Sequence, residues 1–382
     1  MSLLDPDLIL EKARQLARSD DFLGDAWEPA FRALLAAVDA EARIHPSRAE
    51  RFAGEMVQCL VTRTRIAHAL RARPEIADAP APAPVVITGL PRSGTTLLHN
   101  LMARVPGNRA YRLWELRAPV FAPGAPADQA RRERDAAVEV VEWLYGRAPA
   151  FRAIHPLSAD APDECNWLFR PTFSSMVFAW TNFVPAYDAW LARSDRVPAY
   201  RDWLLQWKLL RWRSPGGVPV MKDPGHLWSL DALFEVCPDA RVVVLSRDPA
   251  ETTASLASLC FTLQSMDSDA RDKAAVGTYV RSMVRRGREA LARARARSPA
   301  HFLDVDYRRL VADPVAVVGE IQASLGRPLD PEGAARCRRF LADQRRDEAP
   351  AHRYTLEEFG LRREDCCDAP AFPGRSESRV VH

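Results

Sequence analysis

The sequence predicts an α/β protein in which helices flank a parallel sheet, behind an N-terminal helical subdomain. Three observations predict it. Short β-branched runs recur at Val85–Thr88, Val218–Met221, Arg241–Leu245 and His301–Val305. Stretches of helical periodicity separate them, and the first run breaks into a glycine-bounded loop that leads into a helix. Apolar strands alternating with helices indicate a parallel sheet covered on both faces. The 382-residue chain is 47% hydrophobic and 27% charged, an ordinary globular composition that excludes wholesale disorder.

The elements follow in order. Residues 1–76 read as helices, with Leu8, Leu10, Ala13, Leu16 and Ala17 on one helical face and Phe31, Leu34, Leu35 and Val38 repeating the spacing. Residues 77–84 (ADAPAPAP) form a linker, because proline at alternate positions forbids a helix. Residues 85–364 form the α/β domain, with a fifth, weaker strand at Ala110–Trp114. Residues 365–382, carrying Cys366, Cys367, Pro370 and Pro373, read as an irregular tail.

Charge and cysteine usage narrow the function. Lys and Arg total 53 against 50 Asp and Glu, a net charge of +3, which argues against a dedicated nucleic-acid binder. Only four of the basic residues are lysines (Lys12, Lys208, Lys222 and Lys273). Codon bias accounts for that scarcity, and a lysine that falls inside a motif is a candidate for a specific role. The seven cysteines make no CxxC pair, so reduced thiols and a cytoplasmic location are expected. No apolar run approaches the ~18–20 residues of a membrane span, and no secretory signal pattern opens the chain.

The strongest signal is Val85-Val86-Ile87-Thr88-Gly89-Leu90-Pro91-Arg92-Ser93-Gly94-Thr95-Thr96. Strand, glycine loop and helix N-terminus in succession make a phosphate cradle of P-loop-NTPase-like type, with backbone N–H groups facing the anion. The P-loop lysine position holds Thr95, which disfavours ordinary nucleotide hydrolysis. Arg92 supplies the positive charge instead, and Ser93, Gly94, Thr95 and Thr96 supply amides and hydroxyls.

This loop resembles the 5′-phosphosulfate loop of sulfotransferases that use 3′-phosphoadenosine-5′-phosphosulfate (PAPS). The spacing of later motifs is similar to that of a bacterial branch related to tyrosylprotein sulfotransferases. The resemblance implies PAPS as co-substrate, no metal, a second phosphate site, a leaving-group lysine and a general base. Arg247, two residues after the apolar run Arg241–Leu245, and Ser255 eight residues on match the pair that holds the 3′-phosphate. The competing reading of Arg247 is an ion pair with Asp248 or Glu251.

Lys222 closes the run Val218–Lys222 and opens a KDP tripeptide that resembles the family's phosphosulfate-contacting motif. A donor that strengthens as charge grows on the leaving oxygen accelerates transfer. Two residues compete for the base. Glu115, in Tyr111–Pro119, resembles the family's catalytic Glu, and on an extended segment it would share a face with Arg117; a structural Glu115–Arg117 pair is the alternative. His155, heading HPLSADAPDECN, resembles an acceptor-side segment of the bacterial enzymes. Asp163 and Glu164 in that segment are accounted for by a helix N-terminus, where carboxylates are favoured.

Six tryptophans between residues 160 and 215 (Trp167, Trp180, Trp190, Trp203, Trp207 and Trp212) mark either a core or the lid of an apolar acceptor pocket. The pocket reading favours a hydrophobic or aromatic small-molecule alcohol over a charged polysaccharide. By resemblance, Tyr307 approaches the cofactor and Arg353 closes over it. The expectation is a sulfotransferase that moves a sulfuryl group from PAPS to an acceptor hydroxyl. The alternatives are a kinase or NTPase with an altered loop and a non-catalytic nucleotide-binding module. Nothing in the sequence sets an oligomeric state.

Overall fold

A computed structural model describes residues 2–121, 124–149, 151–266, 268, 272–344 and 354–366. Five strands, β1 (Val85–Gly89), β2 (Asn108–Arg109), β3 (Val218–Lys222), β4 (Arg241–Ser246) and β5 (Phe302–Asp306), form one sheet in the order β2-β3-β1-β4-β5. All four pairings are parallel. Every residue of β1 is buried, as the central strand of a sheet covered on both faces must be. Register brings the functional strand ends together: Ile87 lies opposite Lys222 and Gly89 opposite Leu245, two residues before Arg247.

The strand expected at Ala110–Trp114 is corrected. Only Asn108–Arg109 pairs with β3, and the chain then forms a short helix over Leu113–Arg117. The amide of Arg112 donates to Glu115 Oε2 at 2.9 Å. That local bond satisfies a helix-terminal donor and overrides the β-forming character of Tyr111, Leu113 and Trp114.

The N-terminal helices Pro6–Ala17, Glu28–Glu41 and Pro46–Ala72 pack into the same core as the later aromatic segment. Phe31 and Phe173 meet at 4.9 Å between ring centroids. Arg63 is buried and spans the junction: it donates to the carbonyls of Phe22, Leu23 and Pro171 and pairs with Asp202 at 2.6 Å. The expected linker 77–84 is corrected at its start, where Ala77 and Asp78 close the short helix Glu75–Asp78 ahead of the first proline of the repeat, Pro80. The segment runs along this body, with Lys208 Nζ on the Ala77 carbonyl and the Arg241 amide on that of Pro84. A second core beneath the sheet joins Ile87, Leu101, Val243 and Leu245 to Val318 and Ile321. Trp203 and Trp207 are fully buried in the first core, whereas Trp212 is exposed.

Candidate functional site

The loop after β1 is built around backbone that ordinary residues avoid. Gly94 has φ +93°, and a Cβ there would come 2.9 Å from Cδ2 of Tyr307. Gly89 is equally confined, since its Cβ would sit 2.5 Å from the Leu245 carbonyl oxygen. Arg92 itself adopts φ +72°, a strained conformation for a non-glycine residue and one that clusters at ligand clamps. Arg247 holds it there by donating to the Arg92 carbonyl at 3.0 Å. The helix Thr95–Met102 starts immediately after, presenting its first N–H groups to the loop. Ser93 Oγ is buried with no protein partner, an orphan that a phosphate oxygen would satisfy.

β4 and its following helix bring the second cationic group to the same place. Arg92 Nε donates to Ser255 Oγ at 3.2 Å, and the Arg247 guanidinium lies 4.3 Å from the Tyr307 ring centroid. Arg92, Arg247, Ser255 and Tyr307, expected from sequence to share a ligand, thus gather at one sheet edge. Arg247 also pairs with Glu251 at 2.9 Å, one turn along the helix. Arg353 lies outside the described residues.

Lys222 is almost wholly buried, and its ammonium donates to Glu164 Oε1 at 2.6 Å and to Thr96 Oγ1 at 3.4 Å. Glu164 is a site residue that the sequence does not reveal, because a helix-terminal carboxylate needs no further explanation. Burial pushes Glu164 up, but the charge of Lys222, the His155 imidazole and the Lys222 hydrogen bond hold it below the usual carboxylate range. Its neighbour Asp163 is lifted above that range by burial, against the pull of His155 and Lys222.

His155 joins this cluster. Burial lowers it below the usual imidazole range, with Glu164 pulling upward and Lys222 downward. Its ring packs on Phe151 at 5.7 Å, and Tyr145 Oη reaches the carbonyls of His155 and Leu157 at 3.3 Å each. The loop around His155 is therefore pinned on both sides of the imidazole.

A cavity of about 700 Å³ opens from the phosphate loop. Arg92, Thr96, His155, Glu164, Arg247 and Tyr307 line its polar end, and Phe151, Trp167, Phe178, Trp180 and Leu259 line an apolar chamber. Only part of the aromatic run belongs to this wall; Trp203 and Trp207 are core. Glu115 is absent from the lining. Its carboxylate is engaged by Arg109 at 2.5 Å and by the Arg112 amide. The shared Glu115–Arg117 face is also corrected: on a helix, residues two apart point away from each other, and Arg117 alone reaches the cavity.

Residues 84–331 match the profile of the sulfotransferase family. The chain belongs to that family. Two solved structures superpose on nearly the whole sulfotransferase: STF1 from Mycobacterium tuberculosis, at TM-score 0.80 and 29% identity over 94% of this chain and 96% of that one, and STF9 from Mycobacterium avium, at TM-score 0.80 and 26% identity over 94% and 93%. The omega-hydroxy-beta-dihydromenaquinone-9 sulfotransferase Stf3 of Mycobacterium tuberculosis is 26% identical over 304 residues, 73% of this chain and 71% of its own length. In this sulfotransferase the matched span holds the loop, the Lys222–Glu164 pair, His155 and Arg247, while the helices before residue 84 supply one wall of the cavity. Among the described residues no helix is long and apolar enough to cross a membrane, and Cys59, Cys165, Cys237, Cys260 and Cys337 are buried free thiols.

Proposed function

We propose that this sulfotransferase moves a sulfuryl group from PAPS to the hydroxyl of a largely apolar small molecule. The observation that carries the reading is the convergence of Arg92, Arg247, Ser255 and, through Thr96, Lys222 on a glycine loop whose Arg92, Gly94, Thr95 and Thr96 line a largely apolar cavity. PAPS supplies the sulfuryl group and leaves as adenosine 3′,5′-bisphosphate. Arg247 and Ser255 hold the 3′-phosphate, and the loop amides with Ser93, Thr95 and Thr96 hold the 5′-side. Lys222 and Thr96 face the bridging oxygen, where negative charge accumulates as the S–O bond breaks. A donor placed for that charge, in a site shielded from water, is worth about 2.7–4 kcal/mol in the barrier.

The acceptor oxygen forms the new S–O bond and surrenders its proton to His155. Burial keeps that imidazole neutral and able to accept a proton, and Asp163 and Glu164 stabilise the cation that results. Glu115, engaged outside the cavity, is not part of this step. The Stf3 relative acts on a hydroxylated menaquinone, and its name supports an apolar acceptor here. The buried thiols Cys59, Cys165, Cys237, Cys260 and Cys337 support a reducing compartment, the cytoplasm. The test is a screen of lipophilic alcohols with ³⁵S-PAPS. Label is expected in an alcohol with an apolar body; no transfer to any acceptor, with bisphosphate still bound, would reduce the protein to a nucleotide-binding module.

A further inference from the structure

The apolar chamber does not end in apolar residues. Arg48, Arg51, Arg117 and Arg170 also line the cavity, with Glu55 among them. Glu55 bridges Arg48 at 2.8 Å and Arg170 at 3.0 Å. Arg117 and Arg170 stand over the same indole, their guanidinium carbons 4.8 and 5.3 Å from the Trp167 ring centroid. Two like charges over one ring repel each other, and burial followed by the Arg170 charge lowers Arg117. Glu55 and Glu139 in the same lining offset part of the charge of these four arginines, and a bound anion would compensate the excess that remains; a half-buried charge cluster of this kind in a cleft is a candidate binding site.

This cluster is distinct from the phosphate end. The charges that act on Arg92 come from Arg247, Tyr307 and Tyr354, whereas those on Arg117 come from Arg170, Glu55, Cys59 and Glu133. The two groups also rise from different elements. Arg92 and Arg247 follow β1 and β4, while Arg48, Arg51 and Glu55 lie on the helix Pro46–Ala72 and Arg170 begins a 3₁₀ turn. Aromatic residues of the same lining touch both groups: Phe151 packs on His155, Trp167 Nε1 donates to Asp163 Oδ2 at 3.1 Å while Arg117 and Arg170 stand over its ring, and Arg170 also lies 5.2 Å from the Phe178 ring centroid.

We infer that the acceptor is bipolar: a hydroxyl at His155, an apolar body, and an anionic group, carboxylate or phosphate, seated between Arg117 and Arg170. The inference rests on the proposed sulfuryl transfer and adds the chemistry of the acceptor's far end. Arginine recognises both anions through paired, charge-assisted hydrogen bonds. The Trp167 ring attracts both guanidinium groups through cation–π contact.

The test is calorimetric binding of 16-hydroxyhexadecanoate and of its methyl ester, with and without adenosine 3′,5′-bisphosphate. The acid is expected to bind about tenfold tighter than the ester, the worth of one good charge-assisted pair. Arg117→Gln and Arg170→Gln should each erase the preference, and Arg117→Lys should retain part of it. Arg117→Gln is the safer variant for folding, since Glu55 keeps Arg48 and Arg170 in place without it. Equal affinities, no binding of either probe, or a preference that survives both substitutions overturns the inference. Failure of the bisphosphate to bind, with the acid still preferred, would instead strike the donor assignment.

Discussion

The Lys222 ammonium and the Glu164 carboxylate meet at 2.6 Å, and the backbone beside them is tied as well: the Cys165 amide donates to the Lys222 carbonyl at 2.8 Å. Side chain and main chain thus lock the end of β3 to a segment that is remote in sequence. The pair places a compact cation beside Thr96, and the carboxylate fixes where it points before any ligand arrives. In the proposed sulfuryl transfer the lysine would exchange part of that contact for the developing charge on the leaving oxygen.

Lys222→Ala should lower single-turnover rate about 10²- to 10³-fold, the usual loss for one such donor, with a much smaller change in bisphosphate affinity. Glu164→Gln should lower the rate as well, by releasing the lysine from its fixed direction. Removing one partner of a buried pair also costs stability, of the order of 3–5 kcal/mol. The double variant Lys222→Met/Glu164→Gln should therefore melt closer to wild type than Lys222→Ala. A Lys222→Ala enzyme that turns over within a few-fold of wild type removes the role.

In the proposed reaction Arg247 serves binding instead. Its replacement by alanine should weaken adenosine 3′,5′-bisphosphate about 10- to 100-fold, the worth of a hydrogen bond to a charged group, measured by calorimetry. Unchanged affinity would return Arg247 to the plain ion pair with Glu251 that also exists in the structure.

For His155 the sign of the pH effect is set by its lowered pKa. If His155 is the base as proposed, the neutral imidazole is the active form, so kcat/KM should hold as pH falls through the ordinary histidine value and drop only below it. His155→Gln should cost about 10²- to 10⁴-fold, the range for general-base removal, and abolish that acid limb. Glu115→Gln should stay within a few-fold of wild type. The reverse pattern would restore the base to Glu115.

Gly94→Ala tests the loop. A methyl group would press on the Tyr307 ring, and φ +93° disfavours any side chain. The expected penalty is about 1–3 kcal/mol of local strain, seen as weaker bisphosphate binding and a lower melting temperature. Wild-type affinity in this variant would show that the loop is not the cradle.

Local motifs explain what is legible in the sequence. The Gly89–Thr96 loop and the Arg247–Ser255 pair are each written within one strand-to-helix turn, so their residues can be named from the chain alone. Arg92 and Ser255 are both legible in this way, though their 3.2 Å contact depends on the sheet order. Glu164 is not, because its partner is 58 residues away and only the fold joins them. The strand expected at Ala110–Trp114 fails for the opposite reason: Glu115, three residues after Arg112, captures a backbone amide and starts a helix where side-chain propensity favours a strand. The arginines of the far wall come from three separate segments, and no spacing in the chain announces them.

The central claim is that the loop and Arg247 bind a 3′-phosphorylated adenine nucleotide for sulfuryl transfer. The most direct measurement is the affinity of the intact protein for adenosine 3′,5′-bisphosphate against that for ATP with magnesium. The bisphosphate should bind without added metal and far more tightly than ATP, and Arg247→Ala should abolish the difference. Binding of ATP with magnesium in preference to the bisphosphate would contradict the account.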